Sequence, residues 1–187
     1  MKVFMIRHGE SATNKKNLLT GWLDALLTEQ GKAEAEQVGK RLSSIKFDKV
    51  YTSDLSRAKE TAAIALPTCE CETVAGIREI DIGSFAGKPK SSLCGSEREL
   101  ARREGYQIFG GESREEFGDR VRSFMKLLEG QDCKNIAVFT HAGVLRKAFE
   151  IVLGIVIPYN VLCNNCAIAV FEYNNSQWSL HSWTNLD

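Results

Sequence analysis

Apolar and polar positions follow two different periods along this chain. Short apolar runs bounded by turn residues predict strands over Lys2–Ile6, Lys49–Thr52, Ile136–Thr140, Ala167–Tyr173 and Gln177–Thr184. Between them the spacing shifts to that of helices. Thr28 is placed to cap a helix running to about Ser44, with Ala33, Val38 and Leu42 turned inward. Ser56 starts a second helix, with Ala58, Thr61, Ala62 and Ala65 on one side. Ser91 to Gly105, rich in Glu and Arg, predicts a third. Ser113-Arg114-Glu115-Glu116 is a capping box that opens a helix to about Leu128. A last helix is predicted from Val144 to Leu153, ending at Gly154. Pro67, Pro89 and Pro158 each fall where an element should end.

Strand and helix in alternation predict an α/β fold. The expected form is a three-layer sandwich, a mainly parallel sheet with helices on both faces. Asn174-Asn175-Ser176 joins the last two strands as a hairpin, so an antiparallel edge is expected. No repeat, low-complexity tract or linker interrupts the pattern. A length of 187 residues suits one domain, here with a small helical cap over about 88–110.

Charge narrows the partners. Lys plus Arg and Asp plus Glu both number 24, giving a formal net charge of zero. Neither a nucleic acid nor a membrane surface is therefore an expected partner, since both call for a basic excess. Arg7, His8 and Glu10 interrupt the first apolar run, which does not read as a signal peptide. The expected address is cytoplasmic, with Cys69, Cys71, Cys94, Cys133, Cys163 and Cys166 as reduced thiols. Cys69, Cys71, Cys163 and Cys166 could form a four-thiolate zinc site. Closed sites of that kind usually show two wider-spaced pairs in turns, and Cys163-x-x-Cys166 leads into an apolar run. Small buried thiols, with no metal and no cofactor, are the expectation. A homodimer is left open.

Three predicted strands end alike. Val3–Ile6 runs into Arg7-His8, Val50–Thr52 into Ser53-Asp54 and then Arg57, and Ile136–Phe139 into Thr140-His141-Ala142-Gly143. In parallel α/β sheets the ligand site lies outside the carboxyl ends of the strands, so two histidines and two arginines should gather on one rim. Each alone has a plain explanation, as a polar cap or a surface cation. Together, with helix N-termini adding positive potential, they suit a phosphate.

At these residues the chain resembles the histidine phosphatase superfamily, the group that includes the cofactor-dependent phosphoglycerate mutases. The resemblance rests on Arg7-His8-Gly9-Glu10 with Asn14, Thr20-Gly21-Trp22-Leu23-Asp24 and Leu27-Thr28-Glu29-Gln30-Gly31. It continues through Ser53-Asp54-Leu55-Ser56-Arg57-Ala58, Arg78-Glu79-Ile80, Gly110-Gly111-Glu112-Ser113 and Thr140-His141-Ala142-Gly143. Ala86 stands where the phosphatase branch often has glutamate, and Ala25-Leu26 where proline is common. The resemblance implies that His8 is a nucleophile that takes up the phosphoryl group. Arg7, Arg57 and a protonated His141 would hold its oxygens, with Asn14 as a neutral donor. Glu79 would be the general acid; its plainer role is a solvated strand charge sharing a face with Asp81. Thr20, Gly21 and Ala142 would line the substrate side. Lys88, Lys90, Arg98, Arg102 and Arg103 would form either a cap over the substrate or a solvated face. His181, alternating with Trp183, is expected to be structural.

The implied function is hydrolysis of a small phosphate ester through a phosphohistidine. The first alternative is a phosphoglycerate mutase, favoured by the Arg102-Arg103 pair. Against it, only 22 residues separate Gly87 from Gly110, and the sequence ends four residues after Trp183. Mutases usually have a longer insertion and a tail. A catalytically silent phosphate-binding module is the second alternative, and the presence of Glu79 counts against it, because binding alone needs no acid.

Overall fold

The computed structural model of the chain describes residues 1–157 and 163–185, so the prediction at Pro158 lies outside the described residues. The elements in order are β1 (Lys2–Arg7), α1 (Ala12–Lys15), α2 (Glu29–Leu42), β2 (Lys49–Thr52), α3 (Ser56–Ala65) and β3 (Glu72–Thr73). Then come α4 (Gly95–Arg103), α5 (Arg114–Glu129), β4 (Asn135–Thr140), α6 (Ala142–Leu153), β5 (Ile168–Asn174) and β6 (Gln177–Thr184). The six strands form one sheet in the order β3-β2-β4-β1-β5-β6. β3, β2, β4 and β1 run parallel, while β5 and β6 make the antiparallel edge.

The alternation of side chains along each strand divides the core in two. Val3 and Met5 of β1 pack with Phe117, Val121, Leu128 and Phe149 from α5 and α6. Phe4 and Ile6 face the other way, against Val38, Leu42, Ala62 and Ala65 of α2 and α3. Because both faces are covered, β1 and β4 are apolar between their ends, over Val3–Ile6 and Ile136–Phe139, as parallel strands in three-layer folds are. A third cluster, Ile82, Phe85, Leu93, Ala101 and Tyr106, lies under the 88–110 segment.

Thr28 caps α2 as predicted, its Oγ accepting the Gly31 N–H at 3.1 Å. The inward face of α2 is Gly31, Ala35, Val38 and Leu42, and Ala33 is exposed; three- and four-residue steps backward from Val38 reach Ala35, not Ala33. Lys90–Ser92 forms a 3-10 turn, and α4 begins only at Gly95, so the predicted Ser91–Gly105 helix is shorter than expected. α1, the two-residue β3 and the 3-10 turns at Ala75–Ile77, Gly83–Phe85 and Gln107–Phe109 were not predicted; each is too short to show a period. In β6 the pairing shifts by one residue, with Leu180 opposite Phe171 and Ser182 opposite Val170. His181 is the extra residue of this bulge and is exposed, so it does not share a face with Trp183, which packs on the core. Among the described residues no helix is long and apolar enough to cross a membrane.

Candidate active site

Strand register brings the three strand ends together. Arg7 on β1 is opposite Thr140 on β4, and the next residue, His8, donates its N–H to Thr140 O at 3.0 Å. Ser53, just past β2, donates its N–H to Phe139 O at 2.9 Å. His8, Ser53 and His141 therefore occupy one line across the rim.

The His8 ring is buried, with Nδ1 2.7 Å from Gly9 O. A carbonyl only accepts, so Nδ1 holds the proton and Nε2 keeps its lone pair. Arg57 Nε–H donates to that lone pair at 3.2 Å. Gly9 is needed for packing rather than for an unusual φ. A Cβ there would lie 2.4 Å from Gly31 O, and one on Gly31 would lie 2.1 Å from Glu10 O. Two glycines thus let the strand end and the start of α2 touch backbone to backbone. The Gly9 N–H is received by Thr61 Oγ at 3.0 Å, which in turn donates to Arg57 O at 2.7 Å.

Arg57 is almost fully buried at 1% exposure. Its Nη1 donates to Leu23 O at 3.0 Å and its Nη2 to Gly21 O at 2.9 Å. Burial lowers its pKa to about 10, which still leaves it charged at neutral pH. Arg7 donates Nη1 to Cys163 O, while its buried Nε has no partner among the described residues. Burial, then Arg57 and Arg7, hold the His8 pKa well below the usual histidine value. The same forces, burial first, keep His141 low. The free protein therefore disfavours the protonated His141 that the resemblance implied. Its Nε2 lies 2.9 Å from Ser53 Oγ, its Nδ1 is buried without a partner among the described residues, and its ring centroid is 5.2 Å from that of His8.

Glu79 lies on no strand, contrary to the solvated-strand alternative; residues 79–82 are irregular backbone. Its Oε2 accepts the Gly143 N–H at 3.1 Å, in the first turn of α6, and its Oε1 accepts the Ile80 N–H at 3.0 Å. A Cβ at Gly143 would come within 2.0 Å of Glu79 Oε1, so any other residue there would displace the carboxylate from this position. Asp81 does not share this position; its Oδ1 turns back to the Gly83 N–H at 3.0 Å.

These groups open into a cavity of about 530 Å³. Arg7, His8, Asn14, Thr20, Gly21, Arg57, Glu79 and Ala142 all line it, while His141 packs behind His8. Asn14 Oδ1 already accepts from Ser11 N and Asn165 Nδ2, so its own Nδ2–H is the group it can offer. Lys90, Arg98 and Arg102 reach the cavity from the 88–110 segment. Lys88 and Arg103 do not line it: Lys88 sits over the Phe85 ring, and Arg103 pairs with Glu104 at 2.7 Å. Arg114, Arg146, Cys163 and Asn164 also line the cavity and were missed in the sequence. The signal for them was topological. Arg114 and Arg146 lie in the opening turns of helices, and Cys163 and Asn164 precede an antiparallel strand, which begins on the rim where parallel strands end. Among the described residues, seven basic side chains and one acidic one line the cavity, in a chain of zero formal net charge.

Among the described residues no group of three or more His, Cys, Asp or Glu side chains could hold a metal ion. Cys163 belongs to one core cluster, and Cys166, with Cys69 and Cys71 against it, to the cluster on the opposite face of the sheet. Burial pushes the Cys166 thiol up to about 12.

The family model for the histidine phosphatase superfamily, branch 1, matches residues 3–186. The chain is 30% identical over 193 residues to a Salmonella paratyphi A protein named "Probable phosphoglycerate mutase GpmB", covering 98% of this chain and 90% of that one. The structure of TTHB049 from Thermus thermophilus matches with a TM-score of 0.79 at 29% identity, over 100% of both chains. An alpha-ribazole phosphatase from Shigella flexneri matches with a TM-score of 0.86 at 24% identity, covering 99% of this chain and 96% of that one. A phosphoserine phosphatase from Entamoeba histolytica, in complex with 3-phosphoglyceric acid, gives 0.85 at 23% identity, with coverage of 99% and 97%. At those last two identities the likeness is one of fold.

Proposed function

Because this chain belongs to the histidine phosphatase superfamily, branch 1, whose members are phosphatases or mutases, we propose that it hydrolyses a small phosphate ester through a phosphohistidine on His8. The observation that carries this is the His8 tautomer. A buried imidazole with its proton fixed on Nδ1 and its Nε2 lone pair facing a guanidinium is a neutral nucleophile beside a phosphate-binding charge. The incoming phosphoryl group replaces the ring as acceptor of the Arg57 Nε–H. The Arg7 Nε, without a partner among the described residues, supplies another donor to its oxygens. Ser53 Oγ receives the Leu55 N–H at 3.4 Å and lies 2.9 Å from His141 Nε2; in this reading the hydroxyl donates there and the His141 proton stays on the buried Nδ1, as a third donor. These donors are fixed before charge develops on the phosphoryl oxygens, which is the condition for electrostatic catalysis.

In the first step the Nε2–P bond forms as the P–O bond to the leaving group breaks. Glu79 gives its proton to the departing oxygen. In the second step Glu79 takes a proton from the water that attacks phosphorus, and His8 is released. Lys90, Arg98 and Arg102 meet the part of the substrate that leaves.

Quenching the protein with radiolabelled phosphate ester tests the first step. A protein-bound label, stable in alkali, lost in acid and absent from His8→Ala, is expected; an acid-stable label, or one undiminished in His8→Ala, overturns it. The mutase alternative draws on the 30%-identical relative and on Arg102 in the cavity. Supplying 3-phosphoglycerate with and without catalytic 2,3-bisphosphoglycerate, and following 2-phosphoglycerate and free phosphate together, separates the two. Isomerisation far faster than phosphate release from any ester would make the protein a mutase. No phosphate release and no isomerisation would leave a phosphate-binding module.

A further inference from the structure

The backbone around Glu79 lies between the 3-10 turns at Ala75–Ile77 and Gly83–Phe85, with neither a strand nor a helix to hold residues 79–82. Yet the Glu79 carbonyl oxygen takes two donors, Trp22 Nε1 at 2.7 Å and Arg120 Nη2 at 2.8 Å. The same guanidinium donates through Nη1 to Gly76 O at 3.0 Å and Arg78 O at 2.7 Å. Arg120 is itself held from behind. Its Nε and Nη2 donate to the two Glu112 oxygens at 2.7 and 2.8 Å, and its plane lies 4.7 Å over the Phe117 ring. Glu112 then reaches the far side of the segment, accepting the Asp81 N–H at 2.8 Å and donating its own N–H to Asp81 O at 3.0 Å. One ion pair thus grips the chain before and after Glu79, while the Gly143 N–H donates to its carboxylate.

We infer that Arg120, braced by Glu112, is a positioning residue that sets where the Glu79 carboxylic acid meets the leaving oxygen. This rests on the role given to Glu79 above. The plainer role for Arg120 is to satisfy backbone carbonyls that have no ladder partners. The two roles differ in what they do to the reaction. Loss of fold or of phosphate binding slows every ester alike. A displaced proton donor slows esters whose leaving oxygen needs the proton, and spares aryl phosphates, which need little. Displacement by about 1 Å is enough to cost roughly 10²-fold.

The test measures kcat/KM, which covers every step up to formation of the phosphohistidine, for p-nitrophenyl phosphate and for propyl phosphate. The variants are Arg120→Ala, Arg120→Lys and Trp22→Phe, with Glu79→Gln as the reference and a urea midpoint for each. Arg120→Ala is expected to lower the alkyl-to-aryl ratio at least about tenfold, while the aryl value stays within about twofold. Arg120→Lys, which keeps the charge but not the fork, should recover much of the urea midpoint without recovering the ratio. Trp22→Phe, which removes one of the two donors to the Glu79 carbonyl, should lower the ratio by a smaller factor. If Arg120→Ala slows both esters in equal proportion, the inference is overturned. Should Arg120→Ala not fold, an unchanged ratio in both Arg120→Lys and Trp22→Phe overturns it. An unchanged ratio in Glu79→Gln removes the proton-donor role given to Glu79, and this inference falls with it, while the phosphohistidine on His8 is decided by its own label. A lowered ratio in Glu79→Gln with none in the Arg120 variants removes only this inference.

Discussion

His8 and His141 are buried histidines whose charged forms the fold disfavours, and this makes stability depend on pH in a definite direction. Below the unfolded histidine pKa of about 6.5 the unfolded chain takes up protons that the folded chain refuses. The contribution of these two rings is therefore fully present above about pH 6.5 and is lost as the pH falls toward their folded values. Each can add a slope of up to about 1.4 kcal/mol per pH unit. Urea midpoints between pH 7 and 5 should fall steeply in the native protein and more gently in His141→Gln. An equal slope in the two would show that His141 protonates freely in the fold. Among the arginines, Arg57→Ala should lower kcat by roughly 10² to 10³, as loss of a fixed donor to a developing anion does. Arg102→Ala should raise KM, and Arg103→Ala should leave both constants near native, because Arg103 is turned to Glu104 and not to the cavity. Steady-state kinetics on one ester checks all three.

Elements with a strong local signal were legible, and those held only by tertiary contacts were not. Thr28 and Ser113 are caps whose side chains speak for themselves, and both head the helices expected of them. Thr28→Ala should cost about 1 kcal/mol in urea unfolding. A loss much beyond that would trace to its second contact, the donation from its Oγ to Glu10 Oε1 at 2.6 Å. The central strands were legible because burial on both faces writes long apolar runs into parallel strands. β3 has two exposed residues and pairs only through Tyr51 and Thr52, so nothing in its own sequence marks it. The backbone of Glu79 was hidden for a related reason. Its carbonyl is held by Trp22 and Arg120 and its carboxylate by Gly143, all far away in the chain, and no period records such partners. The site residues themselves were legible where a strand end presents them, as with His8 and His141. They were missed at Arg114 and Arg146, where only the packing of helix starts around the rim brings them in.

At the scale of the whole molecule, balanced charge conceals a strongly cationic cavity. Seven basic groups against one acid concentrate positive potential where the net charge gives no hint of it. Attraction of an anionic ester into such a cleft weakens with salt, as the Debye length shrinks from roughly 10 Å at 0.1 M to about 3 Å at 1 M. KM should therefore rise between about 0.05 and 0.5 M ionic strength (about a twofold to tenfold range is expected of such a site), with kcat changing little. A KM independent of salt would place the cations in bulk-like solvent, away from the path of the substrate.

The position of β1 in the sheet has one more consequence. His8 follows a strand with neighbours on both sides, β4 and β5, whereas the Glu79 segment belongs to no ladder. Local opening draws on the regions with the fewest shared backbone bonds, so the amides of residues 79–82 should exchange with deuterium by small fluctuations and those of Phe4–Ile6 only by global unfolding. The two halves of the chemistry then sit in units of unequal cooperativity. As urea approaches the transition, turnover of alkyl phosphates should fade while turnover of aryl phosphates persists, and the acceptor of the phosphoryl group should outlast its proton donor.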